Sequence, residues 1–130
     1  MVLLVWAAEL SMPFPWGLCF VEDPGFAEEI PPLESREQLV SVVRTALSIA
    51  VLHEVDGEAT VRLHLDPFEP TGTLVFEGFI ESVTGEMRLA DATGVAQARA
   101  VVGVGRHPIR IFVDDVRHPE LVEVLVGSSG

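Results

Sequence analysis

Apolar and polar residues alternate along this chain in short stretches that Gly and Pro interrupt. The clearest case is residues 99–126. Val101, Val102 and Val104 end at Gly105. Ile109, Ile111 and Val113 alternate with Arg110, Phe112 and Asp114, and Val122, Val124 and Val126 close the run. Period-two alternation of β-branched residues between Gly and Pro punctuation predicts consecutive strands. Two copies of Arg-His-Pro, at residues 106–108 and 117–119, separate them.

The same pattern is legible upstream. Residues 2–10 read as a first strand with little polar contrast, covered on both faces. Pro13 and Pro15 break it, residues 16–21 form a short second strand, and Asp23-Pro24-Gly25 turns the chain. A loop with Glu28, Glu29 and Pro31-Pro32 follows. Residues 35–52 allow two readings. Ser35-Arg36-Glu37-Gln38 fits a capping box, with Leu39, Val43, Ala46, Leu47 and Ala50 at helical spacing. The Val and Ile content and the alternation of Leu47, Ile49 and Val51 favour a strand. The reading adopted is a short turn or helix over residues 35–43, then a strand over 47–55. Asp56-Gly57 is a two-residue hairpin signal, joining that strand to residues 59–66. There Val61, Leu63 and Leu65 face one side and Arg62, His64 and Asp66 the other. Past Pro67, Pro70 and Gly72, residues 73–83 place Phe76 and Ile80 on one face and Glu77 and Glu81 on the other. Gly78 within that strand marks a bulge or close packing. Thr84-Gly85 turns into residues 86–90, with Met87 and Leu89 inward, and residues 91–94 turn again. The pattern adds up to about eight or nine short strands, which predicts an all-β fold, an antiparallel β-sandwich in one domain over residues 1–130.

Composition changes the picture through charge. The chain has 20 acids, 8 bases and a formal net charge of -12, and every base is Arg. Phosphate contacts need clustered cations, so nucleic acid and anionic membranes are poor partners. Residues 1–35 hold Glu9, Glu22, Asp23, Glu28, Glu29 and Glu34 and no base. The single cysteine, Cys19, excludes an internal disulfide and points to a reducing, cytoplasmic setting. Flanked by Leu18 and Phe20, it reads as buried and inert. The apolar N-terminus lacks the basic start of a signal peptide and is too short to span a membrane.

Candidate chemistry is sparse. His107 and His118, with Asp114 and Asp115 nearby, offer ligand-type side chains. Their spacing matches no standard metal site, and each His reads instead as an exposed loop residue whose Pro opens a strand or turn. Asp114-Asp115 reads as a turn rather than an acid–base pair, because adjacent strand residues point to opposite faces. His53 and His64 flank the predicted hairpin. Gly103-Val104-Gly105 precedes no helix and is no phosphate loop. Trp6, Phe14, Trp16 and Phe20 read as a packed aromatic cluster. No cofactor and no metal are expected.

The order of features across residues 47–113 resembles a known family. A strand, Asp56-Gly57 and a second strand precede a Pro-rich loop and residues 74–83. Ser82-Val83-Thr84-Gly85-Glu86-Met87-Arg88-Leu89-Ala90-Asp91 follows, then a small-residue turn and Gly105-Arg106-His107-Pro108-Ile109-Arg110-Ile111-Phe112-Val113. This is similar to the competence protein J family, β-rich bacterial proteins of about this length that inhibit a competence-associated nuclease, and to actinobacterial relatives. The resemblance spans about residues 40–126. It implies an inhibitor.

Charge and resemblance together predict a non-enzymatic acidic binding protein, an inhibitor or immunity protein for a basic nuclease or toxin. Its partner-binding carboxylates are expected at Glu22, Asp23, Glu28, Glu29, Glu54, Asp56, Glu58, Glu77 and Glu81, a surface that imitates the charge of a nucleic acid. The alternatives are a regulatory β domain that forms a homodimer through a strand edge and a small metal-dependent hydrolase built on the His and Asp residues near Asp114 and His118.

Overall fold

Alternation becomes two facing sheets. The computed structural model describes residues 7–33 and 38–129. The strands are β1 (Ala8–Met12), β2 (Leu18–Glu22), β3 (Val40–Val42), β4 (Ala46–Ala50), β5 (Ala59–Leu65), β6 (Thr73–Ser82), β7 (Glu86–Asp91), β8 (Gln97–Val101), β9 (Gly105–Val113) and β10 (Leu121–Val126). The first sheet has the order β1-β5-β10-β9-β6 and the second β3-β4-β2-β7-β8. Every strand pair is antiparallel except β5 with β10, which run parallel with Val122 opposite Val61. The fold is all-β, with ten strands among the described residues.

One apolar layer joins the sheets. Val61, Leu63, Ile109, Ile111, Val122 and Val124 from the first meet Cys19, Val21, Leu47, Ile49, Met87 and Leu89 from the second, all fully buried. Each large apolar side chain so buried contributes about 1.5–3 kcal/mol. The lateral edges also align. β1 lies against β7 and β8, while β6 lies against β3 and β4, where the Glu81 N–H donates to the Arg44 carbonyl at 2.8 Å.

Several expectations are corrected. Asp56-Gly57 closes no hairpin. β4 already has β2 and β3 on its two edges, so β5 has no open ladder there and pairs in the opposite sheet. Residues 54–56 instead form a 3₁₀ turn, whose first N–H groups include Val55 donating to His53 Nδ1 at 3.2 Å. His53 and His64 therefore belong to different sheets' surroundings. The expected strand over 47–55 ends at Ala50. The capping box over Ser35, Arg36 and Glu37 lies outside the described residues, and beyond it the helix reading fails. Val40–Val42 is a strand paired with β4, Val42 opposite Leu47. The β-branched period wins because the pair buries Leu47 and Ile49 and completes the edge of β4. Of the first predicted strand, residues 1–6 lie outside the described residues.

Gly78 is half as expected. It is closely packed, since a Cβ there would lie 2.8 Å from the Phe76 ring. The register shift falls instead between Leu74 and Phe76, at Val75.

Candidate functional site

The nine carboxylates singled out by sequence do not form one patch. Asp23 is fully buried. One of its oxygens accepts from the N–H groups of Gly25 at 2.9 Å and Phe26 at 3.2 Å. The other accepts from Val83 N–H at 2.6 Å, Thr84 N–H at 2.9 Å and the Thr84 hydroxyl at 3.1 Å. Burial pushes this carboxyl up, but the hydrogen bonds from Thr84, Gly25 and Val83 outweigh it and hold the group below its ordinary 3.8. Asp23 ties the β2 end to the β6–β7 turn. Glu22 pairs with Arg88 across β2 and β7.

Glu28 and Glu81 are brought together through Arg44, which lies 3.5 Å from Glu28 and 2.9 Å from Glu81. This bridge spans the loop after β2 and both sheets, but its acids are partly neutralised. Glu77 is exposed on β6 opposite Arg110.

Glu54, Asp56 and Glu58 form the open group. All three are exposed on the turn that crosses between the sheets, and none makes an ion pair among the described residues. Val55, between them, is 79% exposed. A second 3₁₀ turn, Pro15–Gly17, packs beside it, with Glu54 N–H donating to the Phe14 carbonyl at 3.2 Å. That turn holds Trp16 in a left-handed conformation, φ 58°, with 70% of its surface exposed. A non-Gly residue rarely adopts this backbone. Trp16 also lines a groove of about 220 Å3 with Leu18, Phe20 and the segment from Ile30 to Leu33. The turn bearing the acids of the β4–β5 crossover thus packs against the turn bearing the exposed Trp16, which lines an apolar groove bordered by residues 30–33, just after Glu28 and Glu29. An aromatic anchor with a charged rim is the usual anatomy of a protein interface.

No family model matches the chain, and no curated protein matches it. A solved structure does match. The crystal structure of ComJ from Bacillus subtilis, inhibitor of the DNA degrading activity of NucA, superposes with a TM-score of 0.70 over 92% of this chain and 94% of ComJ, at 8% sequence identity. The chain has the fold of ComJ. The strand order that resembled the competence protein J family in sequence is therefore the strand order of a ComJ-like sandwich, and what it fixes is architecture.

Within that ComJ-like frame the histidines take structural places. His107 is not an exposed loop residue. It sits buried in β9, with Nδ1 at 2.8 Å from the Gly127 carbonyl and Nε2 at 2.7 Å from the Gly103 carbonyl. Pro108 lies inside β9 rather than opening it. His64 is buried, stacked on Phe68 with ring centroids 3.5 Å apart, and its Nε2 is 2.7 Å from Glu123 Oε2. His118 is exposed, as the sequence predicts. Asp114 and Asp115 organise a loop. Asp114 Oδ1 accepts from the N–H groups of Asp115, Glu120 and Leu121, and Asp115 Oδ1 from that of Arg117 at 2.8 Å. No group of three or more metal-binding side chains occurs among the described residues. Cys19 is buried, and burial pushes its thiol far up, which makes it a poor nucleophile. No helix among the described residues is long and apolar enough to cross a membrane.

Sequence reasoning missed Trp16, which it placed in the core. The signal was present: Pro15-Trp16-Gly17 is a turn sequence, and the residue between Pro and Gly in a tight turn points outward.

Proposed function

We propose that this chain is a non-enzymatic inhibitor or immunity protein that captures a nuclease or toxin by a basic face. The observation that carries the reading is the ComJ fold shared across nearly the whole of both chains. Its contact surface comprises Trp16 and the apolar groove, with Glu54, Asp56 and Glu58 on one flank and Glu28 and Glu29 on the other. Its charge works in two ways. The net -12 steers a cationic partner and repels nucleic acid, which leaves the partner's own nucleic-acid site as the complementary surface. The unpaired acids then pair with cations there, while Trp16 supplies the desolvated anchor. No cofactor is required, and the lone thiol suits the reducing bacterial cytoplasm.

The test is a plasmid-degradation assay with purified nucleases encoded beside this protein. Stoichiometric addition should suppress degradation, and suppression should weaken as salt rises. The triple variant Glu54→Lys, Asp56→Lys, Glu58→Lys should inhibit at least tenfold less well while melting at the same temperature. Full nuclease activity at excess protein in low salt would refute the reading.

A further inference from the structure

We propose a second site that does not depend on nuclease capture: the cavity beside β6 binds an anionic amphiphile, its alkyl chain against Val51, Val75 and Val116 and its carboxylate on Arg117 and His118.

The cavity measures about 840 Å3, within the range of small-molecule sites, roughly 300–1,000 Å3. It lies at the seam of the two sheets. Leu39 and Val51 line it from the second sheet's side, Val75 from the edge strand of the first, and Val116 from the β9–β10 loop. One end of this seam is closed, where the Glu81 N–H meets the Arg44 carbonyl and Arg44 pairs with Glu81. Toward the other end the extra residue at Val75 shifts the register of β6, and the cavity occupies the space beyond.

Its wall is built in advance of any ligand. The loop carrying Val116 to Pro119 is fastened at its base by Asp114, which accepts three backbone N–H groups. It is fastened to the second sheet's side by the Leu52 N–H, which donates to the Pro119 carbonyl at 3.0 Å. A wall held at both ends loses little entropy when a ligand binds.

The head-group preference comes from Arg117. In a chain this acidic, the arginines are otherwise engaged among the described residues. Arg44, Arg62, Arg88 and Arg99 face carboxylates, and Arg106 and Arg110 lie over Phe79 and Phe112. The Arg117 side chain has neither kind of contact. The acid beside it, Asp115, accepts from the backbone N–H groups of Arg117 and His118 and attracts the Arg117 side chain through space without hydrogen-bonding it. A guanidinium fork with no carboxylate in hydrogen-bonding contact among the described residues, at the rim of this mixed cavity, matches a carboxylate in two parallel hydrogen bonds. The surrounding negative surface repels anions elsewhere, which confines such a ligand to this mouth.

The experiment uses decanoate, below its micelle concentration, titrated into the intact protein by calorimetry and by amide chemical shifts. Expected is saturable one-to-one binding, with shifts at Val75 and Val116 through His118. Each methylene added from hexanoate to decanoate should tighten binding roughly three- to fourfold. Val116→Trp, a half-exposed loop position whose indole fills the cavity, should abolish binding without lowering the melting temperature. Arg117→Glu should weaken decanoate at least tenfold and leave decanol unchanged. Absence of saturable binding, or equal binding by Val116→Trp, would overturn the site. Equal binding of decanoate and decanol, with no effect of Arg117→Glu, would overturn the anionic preference.

Discussion

Replacing Asp23 by Asn keeps the shape of the side chain and removes one acceptor. In the native protein both carboxylate oxygens face only donors: Gly25 and Phe26 N–H on one side, Val83 N–H, Thr84 N–H and the Thr84 hydroxyl on the other. An amide has one oxygen and one NH2 group. If the oxygen keeps the Val83–Thr84 side, the NH2 confronts two backbone N–H groups that lose their acceptor. Each donor that loses its acceptor costs about 1–3 kcal/mol, at the low end for the exposed Gly25–Phe26 turn, to which the repulsion between the amide NH2 and these N–H groups adds. The expected loss is roughly 2–4 kcal/mol, a large fraction of the ~5–15 kcal/mol that holds a domain folded. For a chain of this length it corresponds to a fall of about 6–20 °C in melting temperature. Urea unfolding at neutral pH measures it directly, with the slope m unchanged.

The pH dependence gives a second reading of the same group. Asp23 titrates lower in the folded chain than its ordinary 3.8. Between those two values the unfolded chain binds the additional proton, so stability rises with pH there. The contribution is complete above about 4 and is lost as pH falls through the folded value. Asp91 and Asp115, also held low, lose theirs in the same window, so the Asn variant should show a shallower acid limb rather than a flat one. A variant within ~0.5 kcal/mol of wild type at pH 7, or one with an undiminished acid limb, would refute the assignment of Asp23 as the tie between β2 and the β6–β7 turn.

Gly72→Ala should cost at least about 2 kcal/mol by urea unfolding, because its Cβ would lie 2.5 Å from the Val113 carbonyl oxygen, a backbone atom that cannot swing aside. His107→Ala should cost about 2–4 kcal/mol, from a cavity plus the loss of the imidazole N–H from which a carbonyl of Gly103 or Gly127 accepts, and should expose the C-terminal residues to carboxypeptidase. Trp16→Ala should change stability by less than about 1 kcal/mol, since the ring is mostly exposed, yet weaken capture of the nuclease by about 2 kcal/mol or more in a binding titration. Cys19 should not react with a thiol reagent at pH 8 until urea unfolds the chain, because it is inaccessible and its thiolate is disfavoured.

Alternation made much of the sandwich legible. Val61 and Leu63, Ile109, Ile111 and Val113, and Val122, Val124 and Val126 are core residues, as their spacing says, whereas Leu65, in phase with Val61 and Leu63, is exposed at the end of β5. What alternation cannot say is which strand is the neighbour. Asp56-Gly57 has the local chemistry of a hairpin, but whether β5 pairs with β4 depends on how many strands already flank β4, and that is a property of the whole sheet. The same limit explains residues 40–42. Three residues carry too little period to outweigh a nearby capping box, and pairing with β4 decides them. The histidines failed for another reason. His64 sits at a polar position, in phase with Arg62 and Asp66, and His107, although in phase with Ile109 and Ile111, precedes a Pro that reads as punctuation; Glu123 and Phe68 hold the first inside, and the carbonyls of Gly103 and Gly127 the second.

The candidate surface shows why net charge overstates a binding site. Many of the acids have work inside the fold. Asp23, Asp91 and Asp114 hold backbone N–H groups, Glu123 meets His64, and Glu9, Glu22, Glu28, Glu81 and Glu86 face arginines. A carboxylate already paired or buried gains little from a second cation, because its first partner must be lost. The groups that remain able to act on a partner at short range are those without such work, above all Glu29, Glu54, Asp56 and Glu58. The distinction separates two measurable quantities. Reversing a paired acid such as Glu22 should lower stability and slow association only through the change in total charge. Reversing Glu54, Asp56 and Glu58 should leave stability alone and, if the proposed contact surface is the one used, accelerate dissociation, because their turn packs against the one that carries Trp16.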